Sequence, residues 1–133
     1  EPLSGYLLLA EKLFEESTKN ETLQRDLSSA YNFGPNLESN KTVIELINEI
    51  LKHWPGTYKI SQNSDEFHEA QKLNLQIEKA KIKLNWSPKW NFEKAIELTV
   101  FWYKKVLEDP NSAIDLCIKN INEYQKNDLK NNL

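Results

Sequence analysis

The sequence predicts an α/β domain that is predominantly helical, with about four to five helices and two or three short strands. Three observations lead there. Apolar residues recur at helical spacing, as at Leu3, Tyr6, Leu7, Ala10, Leu13 and Phe14. Helix-start chemistry stands ahead of further apolar stripes, in the capping box Thr42-Val43-Ile44-Glu45 and in Asn91 before Phe92. Short runs of period two complete the pattern: Leu73 and Leu75 between polar residues, and Tyr31 and Phe33 before Gly34-Pro35.

Taken in order, residues 2–16 form an amphipathic helix with Pro2 in its first turn, where a missing amide costs nothing. Ser17 to Leu27 is polar and unpatterned and reads as a loop. Ser29 to Pro35 reads as a short strand. Asn32 within it can hydrogen-bond a ligand or serve local turn chemistry. Val43, Leu46, Ile47, Ile50, Leu51 and Trp54 line one face of a helix that Pro55-Gly56 ends, with Trp54 expected in the core. Thr57 to Ile60 is a candidate strand, and Gln62 to Glu66 a polar loop ending at Phe67-His68-Glu69-Ala70. The strand around Leu73 and Leu75 follows, then a short helix with Ile77, Ala80 and Leu84 on one side and lysines on the other. Trp86-Ser87-Pro88 stops it, because proline lacks the amide donor and forces its predecessor into extended geometry. A long helix carries Phe92, Ala95, Ile96, Thr99, Val100, Tyr103 and Val106 inward. After Asp109-Pro110, a last helix points Ile114, Cys117, Ile118, Ile121 and Tyr124 at the core, leaving 126–133 as a frayed tail.

The bulk numbers exclude several classes of function. At 133 residues the chain is one domain's worth, and 39% hydrophobic residues with 11% aromatics can build a core. A net charge of −3 leaves no footprint for nucleic acid. No apolar run approaches a membrane span. The single Cys117 permits no internal disulfide and fits a reducing, cytoplasmic setting. With no methionine at all, the chain reads as a piece of something longer.

Several residues together carry a resemblance. Leu75, Lys79-Ala80, Leu84, Trp86, Pro88, Thr99, Trp102 and Tyr103 match the C-terminal signature of extended short-chain dehydrogenase/reductases that act on sugar nucleotides. The opening EPLSGYLLLAEKL, the YNFGP at Tyr31 to Pro35 and the HEA at His68 to Ala70 narrow it to the CDP-glucose 4,6-dehydratase branch. The likeness runs to about Tyr124. It departs at Gln76, where the family has aspartate, and at Asn85, where it has glycine. Asparagine tolerates the left-handed backbone that glycine supplies.

The resemblance implies a single substrate-binding lobe over 1–133 that works with an N-terminal Rossmann domain absent from this chain. It also implies NAD as the whole enzyme's cofactor. The family's reaction oxidises the sugar at C4, eliminates water across C5 and C6 and returns the hydride to C6, giving CDP-4-dehydro-6-deoxyglucose for deoxysugar and O-antigen synthesis. It implies further that His68 donates to a phosphate and Glu69 accepts from ribose hydroxyls, where the family often has an arginine and an acid. Without the resemblance, both read as solvated loop residues.

The catalytic equipment itself is missing. Three glycines, Gly5, Gly34 and Gly56, cannot make a dinucleotide-binding turn. None of Tyr6, Tyr31, Tyr58, Tyr103 or Tyr124 has lysine four positions on. His53 and His68 with one cysteine make no metal cluster. The reading is therefore a CDP-glucose-binding piece without activity of its own, its Leu3–Phe14 helix exposing an apolar surface that favours a homo-oligomer. The competitors are a lobe of a dTDP-sugar dehydratase or epimerase, and a non-enzymatic helical interaction module.

Overall fold

In the computed structural model, residues 1–60 and 74–130 are described, 127–130 as helix backbone only. Among the described residues there are six α-helices, α1 (Pro2–Ser17), α2 (Glu21–Leu27), α3 (Val43–His53), α4 (Glu78–Leu84), α5 (Phe92–Glu108) and α6 (Ala113–Lys130), and two short 3-10 turns at Leu37–Ser39 and Pro110–Ser112. The chain divides into two compact units, one made of Glu1–Asn40 and Leu73–Trp90, the other of Lys41–Lys72 and Asn91–Leu133.

In the first unit, α1, α2 and α4 enclose a cluster of Leu27, Phe33, Ile77, Ala80, Leu84 and Trp86, joined by Leu8, Leu9, Leu13 and Tyr31. Phe33 is its centre. Its ring meets Tyr6 and Trp86 edge-on at 5.1 and 5.0 Å between centroids. Gly5 is buried in α1 directly beneath that ring, where an added Cβ would lie 2.2 Å from Cδ1. A helix-interior glycine costs about 1 kcal/mol relative to alanine; here it admits an aromatic ring against the backbone. Two polar ties close the unit. The Trp86 indole N–H donates to Ser4 Oγ at 2.9 Å, and the Glu1 carboxylate accepts the backbone N–H groups of Lys89 and Trp90 at 2.9–3.2 Å.

The helix ends follow local chemistry. Thr42 forms the expected capping box with Glu45, and the Asn91 side chain accepts from Lys94 N at 2.9 Å. Asn85 ends α4 at φ 56°, ψ 34°, the left-handed geometry expected of it. Helix α4 begins at Glu78 with Ile77 at the N-cap and no side-chain cap.

Other expectations are corrected. Residues 20–27 are not loop: Asn20 Oδ1 accepts from Leu23 N at 3.0 Å to start α2, and Leu27 at its end is 4% exposed. One buried leucine suffices to fix so short a helix, and one residue makes no period. Among the described residues there is no strand. The runs 29–36, 57–60 and 74–77 are irregular or extended, because a strand needs a partner backbone and no ladder joins them. The remainder of the run around Leu73 lies outside the described residues.

Side-chain facing also departs from the periodicity. Leu3, Leu7 and Phe14 of α1 point outward at 72–81% exposure, while Gly5, Leu8, Leu9 and Leu13 face the core. Trp54 caps α3 in an exposed position instead of closing its buried stripe, and Thr99 and Tyr103 of α5 are exposed. In α6, Ala113, Leu116, Asn120 and Tyr124 are half-buried, whereas Ile114, Ile118 and Ile121 are exposed, and so is Cys117, expected inside. Helix α6 thus turns its most apolar stripe away from its own unit.

Candidate functional site

The three lysines of α4, read from sequence only as the side opposite its apolar residues, hold the run before it in place. Lys83 pairs with Asp26 at 2.5 Å, Lys79 Nζ donates to the Ala30 carbonyl at 2.9 Å and lies 4.7 Å over the Tyr31 ring, and Lys81 Nζ donates to Asn36 Oδ1 at 3.0 Å. Asp26 beside Lys83 raises that ammonium above its ordinary value. With α4's other side buried through Ala80 and Leu84, residues 26–36 are clamped along the helix. Spacing of i, i+2, i+4 gave no hint of this. On a helix, such residues fan over about 200° of arc, so only the path of the neighbouring chain brings all three into use.

Asn32 is exposed in this clamped run, and its Nδ2 donates to the Gln76 carbonyl at 3.3 Å. It ties 29–36 to the residues before α4, which favours its structural role. Beside it lies a groove of about 260 Å³ whose polar lining is Asn36, Glu38, Asn74, Glu78 and Lys81. Two carboxamides, two carboxylates and the Lys81 ammonium, which already donates to Asn36, can hydrogen-bond a polyhydroxyl compound. They include no activated nucleophile. His68 and Glu69 lie outside the described residues; Asn74, lining the groove, is the first residue described after them.

A second groove, of about 430 Å³, lies in the other unit among His53, Lys94, Phe101, Lys104, Lys119 and Glu123. Its cations are engaged within the protein. Lys94 bridges Glu123 at 3.1 Å and Glu97 at 3.4 Å, and the Glu123 carboxylate raises it above its ordinary value. Lys104 donates to the His53 carbonyl at 3.0 Å, and Lys119 lies 5.7 Å over the Phe101 ring. Nearby, Glu49 is 8% exposed with Lys52 at 2.5 Å and His53 at 3.6 Å; the Lys52 hydrogen bond holds its carboxyl below the usual range.

Gly5 is spent beneath Phe33, Gly34 packs against Leu75, and Gly56 follows α3. Among the described residues no group of three or more His, Cys, Asp or Glu side chains is placed to hold a metal ion. No described helix is long and apolar enough to cross a membrane.

Comparison with known proteins gives a likeness to part of an enzyme. Over 126 residues, 93% of this chain, it is 32% identical to CDP-glucose 4,6-dehydratase of Salmonella typhimurium strain LT2. The aligned stretch is 33% of that enzyme, so the chain spans a third of the length of the curated relative it matches. No family model matches the chain. No solved structure matches it. The chain is therefore similar, along nearly all of its length, to part of a sugar-nucleotide dehydratase.

Proposed function

We propose that this chain is the substrate-holding C-terminal portion of a CDP-glucose 4,6-dehydratase. It would contribute contacts to the nucleotide sugar while a separate Rossmann portion supplies NAD and the reacting groups. The observation that carries this reading is the 32% identity sustained over 93% of the chain to an enzyme three times as long. Local geometry supports it: residues of the resembled signature occupy structural posts here, Ala80 and Trp86 in the core and Lys79 on the Ala30 carbonyl. On this reading His68 meets the diphosphate, Glu69 the ribose, and Asn32 stands beside the nucleotide. The exposed α1 stripe of Leu3, Leu7 and Phe14 is then the face that meets the Rossmann portion. The substrate is CDP-glucose and the setting cytoplasmic deoxysugar synthesis, with no dehydratase activity in 1–133 alone.

The test has two parts. The reading frame containing Glu1 should encode, upstream, a glycine-rich turn and a Tyr-x-x-x-Lys pair. Without them the dehydratase reading falls and a helical interaction module takes its place. The protein from that whole frame should bind CDP-glucose at least tenfold more tightly than dTDP-glucose or UDP-glucose by calorimetry. His68→Ala and Glu69→Ala should each weaken binding by about 1–3 kcal/mol, the cost of leaving a partner unpaired. Preference for dTDP- or UDP-glucose would reassign the chain to another branch of the extended reductases.

A further inference from the structure

The outward stripe of α6 has a partner of definable chemistry. Ile114, Ile118 and Ile121 are 72%, 51% and 56% exposed. At 3.6 residues per turn they fall within roughly 60° of arc. They lie opposite Ala113, Leu116, Asn120 and Tyr124, the half-buried side of the helix. One flank of the stripe carries Asp115 near its start and Lys126 eleven positions later, with Lys119 and Asn122 between. Among the described residues neither Asp115 nor Lys126 has an ion-pair partner within the chain.

We infer that α6 pairs with α6 of a second copy, antiparallel, about a two-fold axis passing between Asn120 and Asn122. When two helices lie antiparallel, each flank meets the same flank of its partner with ends exchanged; when parallel, it meets the opposite flank. Antiparallel pairing therefore sets Asp115 against Lys126 of the second copy, twice, and puts Lys119 level with Asn122. Ile118 and Ile121 of both copies interleave at the centre. In this orientation the charged flank is self-complementary, as an isologous contact requires. Helix α1 also exposes a stripe, but the flank beside it holds Glu11 and Glu15 with no cation, so two copies would repel there. This inference does not rest on the ligand reading above.

Sedimentation equilibrium of the 133-residue chain at neutral pH and low salt is the test. A concentration-dependent dimer is expected. Ile118→Glu should abolish it, and since that site faces solvent, circular dichroism should show helix content unchanged. Asp115→Lys and Lys126→Asp should each weaken the dimer by about tenfold, two exposed ion pairs becoming repulsive. The double variant should regain most of the loss. A monomer at millimolar concentration, a dimer indifferent to Ile118→Glu, one abolished instead by Leu7→Glu, or charge reversals that fail to rescue each other would overturn the proposal.

Discussion

The two units are held together differently. The first buries Leu27, Phe33, Ile77, Ala80, Leu84 and Trp86 in one cluster with aromatic rings meeting edge-on. In the second, Val100 and Glu49 are the fully buried residues among those described. Ion pairs run along and between its helices: Glu49 with Lys52, Lys94 with Glu97 and Glu123, Lys105 with Glu108. Exposed ion pairs contribute little, whereas burial of a large apolar side chain contributes about 1.5–3 kcal/mol. The first unit is thus the better candidate for a self-sufficient core. The second, with its isoleucines outside, gains most from a further surface.

The sharpest break in that contrast would come at Leu84, 1% exposed. Leu84→Ala should destabilise the first unit by about 2–5 kcal/mol, from lost burial plus a cavity. Hydrogen exchange resolved by residue should show the loss in α1, α2 and α4 ahead of α3, α5 and α6. Uniform loss of protection would mean that the units unfold as one. Gly5→Ala comes next. Better helix propensity is worth about 1 kcal/mol, but the methyl would collide with the buried Phe33 ring. A net cost of about 1–3 kcal/mol in a urea melt is expected, and a stabilised variant would contradict the tight packing described.

Asn85 tests the turn after α4 at smaller scale. Asn85→Gly should be neutral or slightly stabilising, while Asn85→Val should cost about 1–2 kcal/mol, since φ 56° is hostile to a β-branched residue. In the second unit, Thr42→Ala removes the capping box of α3, an expected cost of about 1 kcal/mol measured by thermal melting.

The smallest effect is a pH dependence. The folded pKa of Glu49 lies below its ordinary value of 4.5, chiefly through the Lys52 hydrogen bond, with burial opposing. Its contribution is therefore complete above the unfolded pKa and disappears as pH falls through the lowered folded value. Acidification below about 4.5 should weaken α3 selectively, and Glu49→Gln should lose less stability over that range than the unaltered chain. Lys94, raised by Glu123, behaves oppositely: its contribution is present below 10.5 and lost as pH rises through the raised value.

Much of the candidate site escaped the sequence for reasons visible in the same residues. Asn32 was legible as a polar group near Gly-Pro, but its tie to Gln76, 44 positions away, was not. Lys79, Lys81 and Lys83 were legible only as the side of α4 opposite its apolar residues; their partners in residues 26–36 came from the fold.

Helix ends were written locally. Thr42 with Glu45, Asn91, left-handed Asn85 and Pro88 act within a few residues of themselves, so the sequence alone determined where α3, α4 and α5 begin or stop. Asn20 carried the same signal for α2, obscured by the lack of an apolar period. Which face of a helix meets the core was decided only in three dimensions. In α1 and α6 leucines and isoleucines exceed what the local core can cover, and periodicity cannot choose between two apolar faces. Packing turned Gly5, Leu8 and Leu9 inward in one, where Gly5 admits the Phe33 ring, and Ala113 and Leu116 in the other.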